Sequence, residues 1–136
     1  LALQAIDIYR NSFRPSEALD KPYVTIGVPL IAAPTDEEAE YLASSNYQRV
    51  LGILTGNRRR LQPPVENFMA GLRSEERAAI GDFLAAAVVG GPERVHEGFS
   101  RLAELTQADE FMLVSDIYDP ELRLRALDIA AAAVAA

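Results

Sequence analysis

Two short segments of this 136-residue chain carry groups able to hold a small molecule. Each lies where an apolar run gives way to a helix-opening turn. After Phe111-Met112-Leu113-Val114 come Ser115, Asp116, Ile117 and Tyr118, which place a hydroxyl, a carboxylate and a phenol within four positions. Such groups position a ligand, or they satisfy the backbone of a strand-to-helix turn. After Val88-Val89 come Gly90, Gly91, Pro92 and Glu93. The glycine N–H groups could face a phosphate at the positive start of a helix, and a tight turn accounts for the same glycines.

The remaining chemistry is sparse. There is no cysteine, so disulfides, thiolate metal sites and cysteine nucleophiles are excluded. His96 is the single histidine, too few for a metal cluster, and its spacing reads as a partly exposed helix residue. Arg58-Arg59-Arg60 could attract an anion, or form a solvated loop. Asp36, Glu37, Glu38, Glu75 and Glu76 fall at helix starts, where they complement the backbone dipole and need no catalytic role. Glu97 and Arg101 have the spacing of a surface ion pair.

The elements that must position these groups follow from periodicity and end signals. A first helix is expected from the start to about residue 13, with Leu1, Ala5, Ile8 and Tyr9 as its apolar stripe. Residues 14–22 read as a polar, proline-bounded connector. Residues 23–33 form the most strand-like run, and Pro29 within it predicts a bulge or an early end. Thr35 with Glu38 forms a capping box for a long helix ending near Gly56, its buried stripe being Ala39, Leu42, Ala43, Val50, Leu51 and Leu54. Residues 57–71 are irregular, with a short helical turn expected around 65–72. Ser74-Glu75-Glu76 opens another helix, and Ala85-Ala86-Ala87-Val88-Val89 reads as a strand near its end. Pro92 starts a helix whose buried face is Val95, Phe99, Leu102 and Ala103. Asp119, Pro120 and Glu121 supply the N-cap, N1 and N2 of the last helix. Strands alternating with one-sided helices imply an α/β fold with a parallel sheet, whose chemistry sits at the carboxyl ends of the strands.

Composition bounds the partners. Hydrophobic residues make up 49% and charged residues 24%, ordinary for a globular domain. A formal net charge of −7 argues against nucleic acid and against an anionic membrane surface. No apolar run reaches spanning length, and the cytoplasm is the default location. The first residues carry no initiator methionine and begin inside an amphipathic pattern, so the chain is expected to be the C-terminal piece of a longer protein.

Several of these segments, taken together and in order, resemble the C-terminal part of the luciferase-like, flavin-dependent monooxygenases. They are Ile8-Tyr9-Arg10 with Phe13-Arg14-Pro15-Ser16, Pro22-Tyr23-Val24, Ala32-Ala33 with Thr35-Asp36-Glu37-Glu38-Ala39, Val89-Gly90-Gly91-Pro92-Glu93-Arg94-Val95, and Ala108-Asp109-Glu110-Phe111-Met112 running to Ser115 and Ile117-Tyr118-Asp119. The resemblance implies that residues 1–136 are the C-terminal portion of one TIM-barrel domain, roughly its sixth to eighth strand–helix units, with 57–74 a mobile loop or insertion. A whole barrel takes about 250 residues, so this length cannot close one.

What the resemblance implies chemically is oxidation of a small organic substrate by reduced flavin mononucleotide (FMN) and oxygen. Gly90, Gly91 and Ser115 would then lie on the cofactor side, and Asp116 and Tyr118 on the substrate side. The family's usual catalytic histidine and most flavin-phosphate contacts have no positions here. By itself the chain is expected to be inactive, and to self-associate or bind the missing N-terminal part. A deazaflavin-using oxidoreductase on the same fold, and a non-catalytic, mostly helical interaction module, are the alternative readings.

Overall fold

A computed structural model describes residues 2–136. In chain order the elements are α1 (Ala2–Ser12), β1 (Thr25–Ala32), α2 (Asp36–Leu54), α3 (Ser74–Phe83), β2 (Val88–Gly90), α4 (Pro92–Thr106), β3 (Glu110–Val114) and α5 (Pro120–Ala135), with a 3-10 turn at Met69–Gly71. The three strands are parallel and β1 lies in the middle, in the order β2-β1-β3. The α/β architecture and the helix starts at Pro92 and Pro120 are as expected from the sequence.

The strand order corrects one expectation. Three successive barrel units would stand side by side in chain order, whereas here β3 pairs with β1 and not with β2. Residues 25–29 of β1 match 110–114, and residues 30–32 match 88–90. So β1 and β3 are neighbouring staves, and β2 is a three-residue strip at the carboxyl end of β1.

This staggered register also explains Pro29, which neither bulges nor ends the strand. Pro29 is the last β1 residue paired with β3, and pairing with β2 begins at Leu30. A missing N–H is tolerated where one partner hands over to the other.

Helices cover one face of the sheet. Val95, Phe99 and Leu102 of α4 and Ala126, Ala130 and Ala133 of α5 are buried, and the Phe99 and Phe111 rings stand 6.0 Å apart. The alanines of α5 let that helix lie close over β1, while α4 packs against α5 and β2. Ala103, expected inside, is exposed, because the buried stripe of α4 is narrower than the apolar spacing suggested. Leu54 is likewise exposed, lying in the last turn of α2 beyond the core.

The other face is open. Its residues alternate with the packed ones, as a pleated strand requires. Thr25, Gly27 and Pro29 lie opposite Glu110, Met112 and Val114, and Met112 is 62% exposed. An apolar strip of this kind has no cover within the described residues.

At the amino end of the sheet, α1 buries none of its residues, so its predicted apolar stripe stays largely exposed here; Leu1 lies outside the described residues. It is held instead by polar contacts. The Arg10 guanidinium donates to the Thr106 carbonyl at 2.9 Å and the Gln107 carbonyl at 2.5 Å, where the dipole of α4 favours a cation. Asp109 fixes the strand start by accepting from the Val24 N–H at 2.7 Å.

Candidate site at the carboxyl rim of the sheet

Three loops meet at the carboxyl rim, one after each strand. Local capping chemistry sets each loop's exit angle. Thr35 Oγ1 accepts from the Glu38 N–H at 3.2 Å, and Asp119 Oδ1 from the Glu121 N–H at 2.8 Å. The reciprocal half of the predicted capping box does not form, because the Glu38 carboxylate pairs with Arg125 of α5.

Gly90 and Gly91 are placed together with Asp36, a residue read from sequence only as a helix-start acid. Asp36 Oδ1 accepts from the Gly91 N–H at 2.7 Å, while Oδ2 lies 3.2 Å from Arg94 Nε. The carboxylate therefore occupies the position that an anion would take at the start of α4. Gly91 itself has φ −75° and ψ −178°, a conformation open to any residue. Gly90 is different: a Cβ there would lie 2.6 Å from Arg94 Cβ and 3.0 Å from Asp36 Oδ1. Glycine is needed at 90 for close approach, and not for a sharp turn.

Beyond β3, Ser115, Asp116 and Tyr118 are divided by the buried Ile117, whose carbonyl accepts from Arg123 Nε. Asp116 is held by α2: its Oδ2 lies 2.8 Å from an Arg49 guanidinium nitrogen, and its carbonyl accepts from Asn46 Nδ2 at 3.4 Å. The Tyr118 phenol is nearly half exposed at the rim. Ser115 Oγ is buried and has no hydrogen-bond partner among the described residues, as is Ser45 Oγ on α2. A buried hydroxyl without a partner costs about 1–3 kcal/mol, so Ser115 suits a site completed by a further polar group. Ser115 lies at the carboxyl rim, where a bound cofactor could supply that group, whereas Ser45 lies within α2.

Other residues with chemical potential prove structural. His96 Nδ1 donates to the Ala133 carbonyl at 2.9 Å and thereby ties α4 to α5 while its ring stays exposed. Glu97 and Arg101 make no ion pair among the described residues, consistent with how little a fully solvated pair gains. Tyr47 donates to Glu40 Oε1 at 2.7 Å, and burial pushes its phenol pKa far up, with the Glu40 hydrogen bond and charge adding to the rise. No group of three or more His, Asp or Glu side chains among the described residues is placed to hold a metal ion. No described helix is long and apolar enough to cross a membrane.

Sequence reasoning missed Arg49, Asn46 and the Asp36 bond to Gly91. All three contacts join segments dozens of residues apart, and no local pattern announces them.

No family model matches the chain. It is 42% identical over 127 residues to the protein YvbT of Bacillus subtilis (strain 168), across 93% of this chain and 38% of that protein. It is 31% identical over 130 residues to a luciferase-like monooxygenase of Escherichia coli (strain K12), across 96% of this chain and 39% of that protein. The chain thus spans less than half the length of the curated relatives it matches. Among solved structures, apo-MsnO8 superposes with a TM-score of 0.75 and 26% identity, over 98% of this chain and 41% of that one. With parallel strands, a one-sided helix layer and this likeness in both sequence and fold, the chain is similar along nearly its whole length to the luciferase-like monooxygenases and matches part of their TIM barrel.

Proposed function

We propose that the longer protein oxidises a small organic substrate with reduced FMN and oxygen, and that this chain supplies part of the rim around that cofactor. The observation that carries the reading is the buried, unpartnered Ser115 hydroxyl at the carboxyl end of β3, beside an open sheet face that ends in Val114. Reduced flavin, when bound, supplies the two electrons with which one atom of molecular oxygen enters the substrate and the other leaves as water.

The chain's own residues bind, orient and exclude water. Ser115 Oγ holds the cofactor edge by a hydrogen bond that the protein alone leaves unmade. Arg49 keeps the Asp116 carboxylate fixed on the α2 side of the rim, where it accepts from a polar substrate group. Tyr118 offers a ring face and a hydroxyl to the substrate. Gly90 and Gly91 keep the β2 edge of the rim thin, with the Gly91 N–H committed to Asp36 rather than to a phosphate. Met112 and Val114 give the interior an apolar wall that keeps water from the reacting centre. A cytoplasmic location belongs to the same proposal.

The test is titration of the full-length protein with reduced FMN and with reduced deazaflavin, for wild type and Ser115→Ala. Ser115→Ala is expected to weaken FMN binding about fivefold, the range of one lost hydrogen bond. It should leave the thermal midpoint without cofactor unchanged or raised, because it removes a buried hydroxyl that nothing satisfies. Binding of deazaflavin alone would shift the reading to the related oxidoreductase class. Binding of neither, or an unchanged FMN affinity in Ser115→Ala, would overturn the role given to this rim.

A further inference from the structure

We propose a second ligand site, an oxyanion pocket built by Arg49, Arg58, Arg59 and Arg60 beside the C-terminal half of α2. It does not rest on the flavin reading. Two cavities adjoin there. One, of about 230 Å³, is lined by Arg49, Arg59 and Arg60. The other, of about 430 Å³, is lined by Arg49, Arg58 and Arg59, with Ile53 and Phe83 as apolar walls. Arg49 and Arg59 border both.

Charge is what sets this place apart. The chain carries a formal net charge of −7, yet no carboxylate lines either cavity. Among the described residues Arg58, Arg59 and Arg60 form no ion pair, and Arg49 pairs only with Asp116. Guanidiniums gathered around one space repel each other, and an anion between them turns that repulsion into attraction. Their planar donor forks match the oxygens of a phosphate or sulfonate.

The segment that carries them is anchored, not free-running. Gln48 Nε2 on α2 donates to the Pro63 carbonyl at 3.0 Å, and Ser44 Oγ accepts from the Val65 N–H at 2.8 Å. Phe83 is 52% exposed against the larger cavity. The ligand class that fits is therefore a small molecule with a phosphate or sulfonate headgroup and an apolar or aryl body. Arg49 also joins this pocket to the rim, because its guanidinium would be shared between the ligand and Asp116.

Calorimetric titration of the full-length protein with phenyl phosphate, benzenesulfonate and uncharged benzyl alcohol tests the site. One or both anions should bind, the alcohol should not, and the tighter anion identifies the headgroup. In the variant combining Arg58→Gln, Arg59→Gln and Arg60→Gln the affinity should fall about tenfold or more, and added salt should weaken the wild type towards the same level. Asp116→Asn should tighten binding by releasing Arg49. If the triple variant loses its thermal transition, Arg59→Gln alone gives the same comparison, since Arg59 borders both cavities. Absence of binding by both anions at millimolar concentration, or equal affinity in wild type and the arginine variants, overturns the proposal.

Discussion

Leu30→Ala should lower the stability of this chain by about 2–5 kcal/mol, the range for emptying a well-packed core position. Leu30 is completely buried on β1, where pairing passes from β3 to β2, and its register partner is Val88. Its side chain packs with residues of the sheet and the covering helices that cannot collapse into the gap together. Denaturant titration should show a lower midpoint with an unchanged slope, since the same surface is exposed on unfolding. Met112→Ala makes the contrast. That side chain stands on the open face, and its loss should change the chain's stability by less than about 0.5 kcal/mol. Equal costs at the two positions would contradict the division into a packed and an open face.

Gly90→Ala should cost about 1–3 kcal/mol, as expected for overpacking at a rigid contact. The added Cβ would meet Arg94 Cβ at 2.6 Å, an atom fixed by the α4 backbone and unable to swing aside. Relief requires α4 to move away from β2, which strains the Asp36 bond to the Gly91 N–H and the ladder between Ala32 and Gly90. Gly91→Ala should be much milder, because a Cβ there meets its nearest atoms, Asp36 Oδ1 and the Pro34 carbonyl oxygen, at 3.4 Å. Thermal melts of the two variants decide the matter. A milder effect at 90 than at 91 would refute the close-approach account of this glycine pair.

What the sequence reveals about this fold is what is decided locally. The cap at Thr35, the proline-opened helices at 92 and 120 and the parallel α/β plan all depend on neighbours within a few residues. The rim segment 115–118 is legible for the same reason, since it follows an apolar run and precedes a cap. The order β2-β1-β3 is not legible, because it depends on which strand edge the 15-residue α4 delivers the chain to. Nor is the role of Asp36, whose bond to Gly91 spans 55 positions and competes with an equally good local account as a helix-start acid. Hydrophobic spacing overstates burial at Ala103, Leu54 and along α1, where a pattern fit for packing stays largely exposed among the described residues. That excess of apolar surface, together with the open strip ending in Val114, fits a unit whose relatives are more than twice its length.

The same surface bears on assembly. Unpaired strand edges and an uncovered apolar face are places where chains associate. Self-association of the chain, or its capture by the remainder of the barrel, is the outcome this surface favours.

The most direct measurement is a crystal structure of the full-length protein with FMN. The account predicts β1 and β3 as adjacent parallel staves of one barrel, Met112 and Val114 turned into its interior, and Ser115 Oγ within hydrogen-bond distance of the cofactor. A structure in which Met112 and Val114 remain in solvent, or in which the cofactor lies away from the ends of β1 and β3, would contradict it.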